Sequence, residues 1–238
     1  NPPAVSSNFV YLYLMKTIIF TILTVFLCAS FVPKKKRGLT FTPTFQRNII
    51  QLDRDYYRYE DTIRFSSLKF YISNIKLHKG KSKTYCFPKR FHLIDLSNPA
   101  SLRILSQKVK KSNWDSVSFT LGIDSITNSA GVLGGDLDPT NGMYWTWQSG
   151  YINTKIEGFS SQCPTRKNKF QFHLGGFTFP HQTAQKVTLP YAEDGEYELN
   201  FSKLFSTINL ESNHTIMSPG KKAVDMTEIL ATCFHSKL

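Results

Sequence analysis

Period-two alternation, broken every ten or so residues by turn formers, constrains this chain more than any other feature. In "WDSVSFTLGID" (114–124), Val117, Phe119, Leu121 and Ile123 share one face of an extended backbone. "KFQFHLGGF" (169–177) repeats the pattern, with Phe170, Phe172 and Leu174 on one side and Gln171 and His173 on the other. Further runs of strand character are "LTFTPTF" (39–45), "TIRFSSLKFYISNIKLH" (62–78), "KRFHLIDL" (89–96), "KVTLPY" (186–191) and "GEYELNFSKLF" (195–205). Proline in the first predicts an edge strand, and Ser66-Ser67 predicts a bend in the second. No helical period is sustained until "DMTEILATCF" (225–234), the one amphipathic helix candidate. These runs predict an all-β fold: a single-domain antiparallel β-sandwich or flattened barrel with long loops and a short C-terminal helix. The 19 Phe and 11 Tyr favour strands as well.

The N-terminal stretch is of another kind. From Met15 it reads "MKTIIFTILTVFLCASF": one positive charge, an apolar run from Ile18 to Leu27, then Cys28-Ala29-Ser30. The run is too short to span a bilayer comfortably, so residues 15–30 read as a secretory signal peptide cut after about Ser30. Bulky Phe26-Leu27 argue against a lipid anchor at Cys28. Residues 1–14 precede the signal without a starting Met and read as an over-extended start. "PKKKR" (33–37) matches a nuclear-localisation pattern, but behind a signal peptide it reads as a basic linker over 31–38. The folded domain is then 39–238, secreted, periplasmic or on the outer surface of a bacterium.

Three cysteines would remain after cleavage: Cys86, Cys163 and Cys233. Their odd count and long spacing argue against structural zinc and leave one disulfide with a spare thiol open. The formal charge of +12 raises nucleic acid as a partner. The Lys and Arg residues are scattered, however, and no nucleic-acid-binding motif appears, so the basic surface is read as a solvated one.

"NGMYWTWQSGY" (141–151) holds two of the three tryptophans. On an extended backbone Trp145 and Trp147 project side by side, in register with Met143 and Tyr151, as an aromatic ledge. The loop before it, "SITNSAGVLGGDLDPTNG" (125–142), is long enough to suggest a functional role. Its Asp136, Asp138 and Asn141 offer oxygens, in a spacing that departs from a calcium-binding EF-hand. Among six histidines none pairs at i+2 or i+4, so any metal site must be assembled from separate strands. His173, opposite an apolar face and followed by two glycines, is the leading metal-ligand candidate, and His92 in "FHLIDL" shares its strand context. Signatures of serine, metallo- or cysteine hydrolases are missing. A carboxylate-pair glycosidase drawing on Asp124, Asp136, Asp138 or Glu157 stays open, with the tryptophans as a sugar platform, as does a plain core role for the indoles.

Taken in order, "FYISNIKL" (70–77), "FHLIDLSNPASL" (91–102), "FTLGIDSITN" (119–128), "GDLDPTNGMYWTWQSGYINTKIEG" (135–158), "FQFHLGG" (170–176) and "IMSPG" (216–220) resemble the MbnP-like proteins. These are secreted copper-binding proteins associated with methanobactin loci and similar to the CorA-type surface protein of methane oxidisers. The resemblance implies a β-rich fold and a mononuclear copper site held by histidines. It also implies a tryptophan near the metal that is oxidised to kynurenine, in some members by a di-haem partner of the cytochrome c peroxidase kind. Carried over, His173 fits the histidine of the H-L-G segment, and Trp145 or Trp147 fits the modified tryptophan. Copper-binding members carry a histidine after the Asn equivalent to Asn128; here Ser129 follows it, which removes one imidazole. The site would then recruit His92, His181 or His214, with Tyr151, Asp138 and Asn128 in support, or bind copper weakly or not at all. The expectation is a non-enzymatic copper-binding protein. The alternative is a surface module that uses the ledge to hold a glycan or protein.

Overall fold

The computed structural model describes residues 38–58, 61–106, 114–147 and 150–237. The segments read as an over-extended start, a signal peptide and a basic linker, up to residue 37, lie outside the described residues. In chain order the strands are β1 (Gly38–Phe45), β2 (Asn48–Ile49), β3 (Asp55–Arg58), β4 (Asp61–Lys79), β5 (Lys83–Cys86), β6 (Phe91–Asp95), β7 (Arg103–Leu105) and β8 (Ser116–Leu121). They continue with β9 (Tyr144–Trp145), β10 (Gly150–Ser160), β11 (Lys169–Gly175), β12 (Gln185–Pro190), β13 (Glu196–Asn200), β14 (Thr215–Ile216) and β15 (Phe234–Ser236). Among the described residues three α-helices interrupt them: α1 (Ser125–Ser129), α2 (Phe201–Thr207) and α3 (Lys221–Ala231).

The larger sheet runs β12-β8-β4-β10-β11-β14, and the smaller one β15-β13-β1-β2 with β7 also on β1. Nineteen-residue β4 is the spine of the larger sheet. It pairs with β3, β6 and β5 in turn along one side, and with β10 and then β8 along the other. The all-β sandwich of mainly antiparallel strands is thus present, with parallel pairing at β1–β13 and β11–β14. Among the described residues no helix is long and apolar enough to cross a membrane.

Between the sheets lies an aromatic core. Phe65 meets Phe45, Phe170, Phe201 and Phe205 edge-on at centroid distances of 5.6, 6.3, 6.0 and 5.5 Å, the geometry aromatic quadrupoles prefer. Alternation places most residues as expected: Val117, Phe119 and Leu121 are buried between the sheets, as are Phe170, Phe172 and Leu174. Ile123 is buried too, but β8 ends at Leu121 and Gly122 at φ 108° turns Ile123 to the far face of the larger sheet. The bend expected at Ser66-Ser67 is a register shift, since Glu157 faces Ser67 while Gly158 faces Phe65. Gly158 is required there, because a Cβ would stand 2.1 Å from the Arg64 carbonyl oxygen and 2.5 Å from the Phe170 ring.

Three sequence expectations need correction. β1 is interior to its sheet, not an edge. Thr40 N–H points towards the β13 side, to Gly195 O at 2.8 Å, so by alternation the Pro43 nitrogen faces the other side. There β7 stops at Thr40 and β2 begins at Thr44, so the missing donor costs nothing. The run at 195–205 is strand only as far as Asn200, whose side chain accepts from Ser202 N and caps α2. Finally, α3 begins at Lys221, before the expected start, and Cys233-Phe234 leave it for β15.

The larger sheet also buries apolar side chains on its far face. Tyr71, Ile123, Leu137, Met143, Trp145, Tyr151 and Ile152 form a second cluster there. It is the segment from Ile123 to Trp145, the long loop of the sequence, that supplies this cover. The candidate site lies at its margin.

Candidate functional site

Strand register decides which candidates meet. Lys69 of β4, Lys155 of β10 and His173 of β11 are directly paired neighbours, so they share the loop-covered face. Glu157 is two residues from Lys155 and pairs with Gln171, which puts it on the same face. His173 Nε2 lies 2.6 Å from Glu157 Oε1, with Lys155 Nζ 3.8 Å from that oxygen. A neutral His173 would donate Nε2–H to the carboxylate. This hydrogen bond, first, holds the Glu157 carboxyl down at about 2; burial opposes it, and the Lys155 ammonium supports it.

Two residues further along β11 stands Gly175, where a Cβ would be 2.6 Å from Trp145 Cζ3 and from Tyr151 O. The Trp145 indole therefore occupies the space of the missing side chain, on the His173 face and about 7 Å along the strand from it. It is 6% exposed, and its Nε1 is buried without a hydrogen-bond partner among the described residues. Trp147 is 66% exposed, with its ring centroid 5.9 Å from that of Trp145 at 49°. The expected ledge is thus only half present. β9 ends at Trp145, and a turn carries Trp147 outward, so the indoles touch without sharing a strand face.

His92 does not join this site. It pairs with Ile72, one residue out of phase with the Lys69 row, so it faces the opposite side of the sheet. It is also three strands away from β11, roughly 14 Å at the usual strand spacing. Period-two alternation thus overturns the idea that His92 and His173 hold one ion. His92 Nε2 instead lies 3.0 Å from Lys89 O. His214 Nδ1 lies within hydrogen-bonding distance of Leu210 O and Glu211 O, at 3.2 and 3.1 Å. His181 sits in the turn after β11, where its carbonyl oxygen would be 2.2 Å from a Cβ on Gly176.

The supporting residues prove to be loop anchors. Buried Asn128 accepts Tyr151 N–H at 2.9 Å and donates to Ile123 O and Asp124 O. The Tyr151 hydroxyl donates to Leu137 O and accepts Leu133 N–H, both at 3.0 Å. Asp138 accepts from Thr140 N and Oγ1 at 2.8 and 2.6 Å and so caps a helical turn. Asp136 binds Lys89 Nζ at 2.7 Å and Leu93 N–H at 2.9 Å. Asp124 caps α1 and meets Arg90 at 2.9 Å. These carboxylates are engaged in turns and ion pairs. Ser129 Oγ donates to Ser125 O at 2.8 Å.

The residues present match copper only in part. An imidazole nitrogen and a carboxylate oxygen 2.6 Å apart suit two neighbouring ligands of one ion. The Lys155 ammonium beside them opposes a cation. Among the described residues no group of three His, Cys, Asp or Glu side chains gathers as a metal-ligand set. Cys86, Cys163 and Cys233 are free thiols, and burial pushes the last two up to about 11. The disulfide left open by the cysteine count is therefore not formed among them.

Sequence reasoning missed Glu157 as the partner of His173. The pairing of β10 with β11 carries the signal, because a carboxylate and an imidazole fall two residues out of step on one face.

The family profile named MbnP matches residues 34–218. No curated protein matches the chain. The solved structure of MbnP from Methylosinus trichosporium superposes with a TM-score of 0.50 at 12% identity, over 71% of this chain and 76% of that one. At that identity the likeness bears on the fold alone.

Proposed function

Because the chain belongs to the MbnP family, we propose that it is a secreted, non-enzymatic binding protein that takes copper at the Glu157–His173 pair. The observation that carries this reading is a single sheet face bearing that pair at 2.6 Å and, next along β11, the buried Trp145 indole. His173 Nε2 and Glu157 Oε1 would hold the ion, and the rest of its coordination would come from outside the chain. Copper bound there would supply a one-electron redox centre. Before an ion takes the place of the Nε2 proton, Glu157 orients the imidazole, and the loop-covered face keeps much of the site from water. Oxidation of Trp145 to kynurenine by a di-haem partner belongs to the same reading, and exposed Trp147 gives that partner an indole to approach.

Copper titration of the mature protein tests the proposal. Binding at micromolar or tighter affinity is expected, weakened at least tenfold in His173→Ala. Weaker binding, or affinity unchanged in the variant, would overturn it. A second reading is favoured by the 66% exposure of Trp147: the indole is a contact for a glycan or protein at a surface module. In that case Trp147→Ala abolishes partner capture from a protein that carries no metal.

A further inference from the structure

We infer that the hairpin formed by the end of β4 and by β5, residues 76–86, docks on the surface of an anionic lipid bilayer. Lys76, Lys79, Lys81 and Lys83 are all exposed on it. Lys79 stands further along β4 than Lys69, by roughly 30 Å at the usual rise per residue, so the copper reading makes no use of the hairpin.

Strand register gives the hairpin an arrangement that folding alone does not favour. Lys79 and Lys83 are directly opposite in the antiparallel pair, and like charges so placed repel across about 5 Å. Elsewhere ammonium groups are matched: Lys69 with Asp95, Lys89 with Asp136, Lys155 with Glu157 and Lys221 with Asp225. The hairpin lysines enter no ion pair among the described residues. Asp115 is the carboxylate that meets the hairpin, and it accepts Gly80 N–H at 2.6 Å. Protection of an exposed edge strand asks for a lysine on β5, which Lys83 supplies. It does not account for Lys79 opposite.

Shape selects the partner. Lys79 and Lys83 lie on one face of the hairpin with Leu77 and Tyr85, and Lys76 lies on the other with His78 and Thr84. Lys81 is in the turn, and a Cβ on Gly80 beside it would meet nothing within 4 Å. Charge thus surrounds a projecting tip, which meets a layer of anions better than it encloses one. Lysines are point charges on flexible stems, without the guanidinium fork that fits a single phosphate. Clusters of about four to eight such cations are the kind that bind anionic headgroups. Half-buried Tyr85 and Trp114 stand at the root, their ring centroids 6.4 Å apart, with Lys83 Nζ 5.4 Å from the Trp114 centroid. Tyrosine and tryptophan are the side chains that settle at headgroup level, which favours a bilayer over a soluble polyanion.

Co-sedimentation of the mature protein with vesicles tests this. Binding to equimolar phosphatidylglycerol and phosphatidylcholine is expected, weakening as salt screens the lysines, with none to phosphatidylcholine alone. Lys79→Gln and Lys83→Gln together should lower the vesicle affinity about tenfold or more. Lys167→Gln with Lys169→Gln is the control, since these exposed lysines lie by the opposite end of β4, roughly 50 Å of strand away; affinity there should stay within about twofold. The hairpin variant should melt no lower than wild type, because it loses a repulsion. No binding to the anionic vesicles, equal binding to neutral ones or full affinity in the hairpin variant would each overturn the inference. So would an equal loss in the control, a lower melting temperature in the hairpin variant, or capture by heparin in place of vesicles.

Discussion

Replacing Glu157 with Gln keeps an acceptor for His173 and removes only the charge. In the folded protein this carboxyl is held at about 2, against a usual 4.5, chiefly by the hydrogen bond from His173. Its side chain is 21% exposed, so solvent screens the pair only in part. A tenfold change in proton affinity is worth about 1.4 kcal/mol, which makes the ionised Glu157 worth about 3 kcal/mol of stability. Because the folded value is depressed, this contribution is fully present above the unfolded value near 4.5. It is lost as pH falls towards about 2. Glu157→Gln is therefore expected to be less stable than wild type by up to about 3 kcal/mol at neutral pH. The gap should close across that acid window. Urea unfolding of both proteins at steps from neutral to strongly acid pH measures it. A gap that stays constant as pH falls would refute the assignment of Glu157 as an ionised partner of His173.

Two further outcomes follow from the packing. Gly175→Ala places a methyl 2.6 Å from both the Trp145 ring and Tyr151 O, so the indole must move. A loss of about 1–3 kcal/mol is expected from such overpacking, with red-shifted, more quenchable Trp145 fluorescence; an unchanged spectrum would sink the placement. Tyr151→Phe strips a partner from Leu137 O and from Leu133 N–H. The expected cost is about 1–3 kcal/mol, with faster hydrogen exchange at the Leu133 amide.

How legible was this protein in its sequence? Strands whose two faces differ in polarity were plain, as in the burial of Val117, Phe119 and Leu121, though Ile123 lies past the strand end and joins the other face. The bend at Ser66-Ser67 was visible because small polar residues interrupt an apolar run. Long-range pairing was not visible. That Glu157 meets His173, while His92 faces away, depends on which strands adjoin and in what phase, and a one-residue shift reverses the answer. Trp147 misled for a local reason: two aromatic residues spaced by two suggest a continuous strand, but β9 is two residues long and a turn follows. The helix at Phe201–Thr207 hid behind an apolar run that fits strand or helix alike, with Asn200 as its only start signal. The metal-ligand count could not be read without the folded register.

The segment carrying the tryptophans is fastened to the sheet by two ammonium groups: Lys69 Nζ reaches Asn141 O at 3.2 Å, and Lys155 Nζ reaches Gly142 O at 3.4 Å. Both take main-chain oxygens, which every amino acid provides. The fastening therefore reads the path of the loop and ignores its spelling. Exposed side chains along it, Trp147 above all, can be exchanged by drift or by a library without releasing the anchor, whereas Asp136 and the buried Leu137, Met143 and Trp145 cannot. A chain built this way can change what its rim recognises while the scaffold beneath keeps its register.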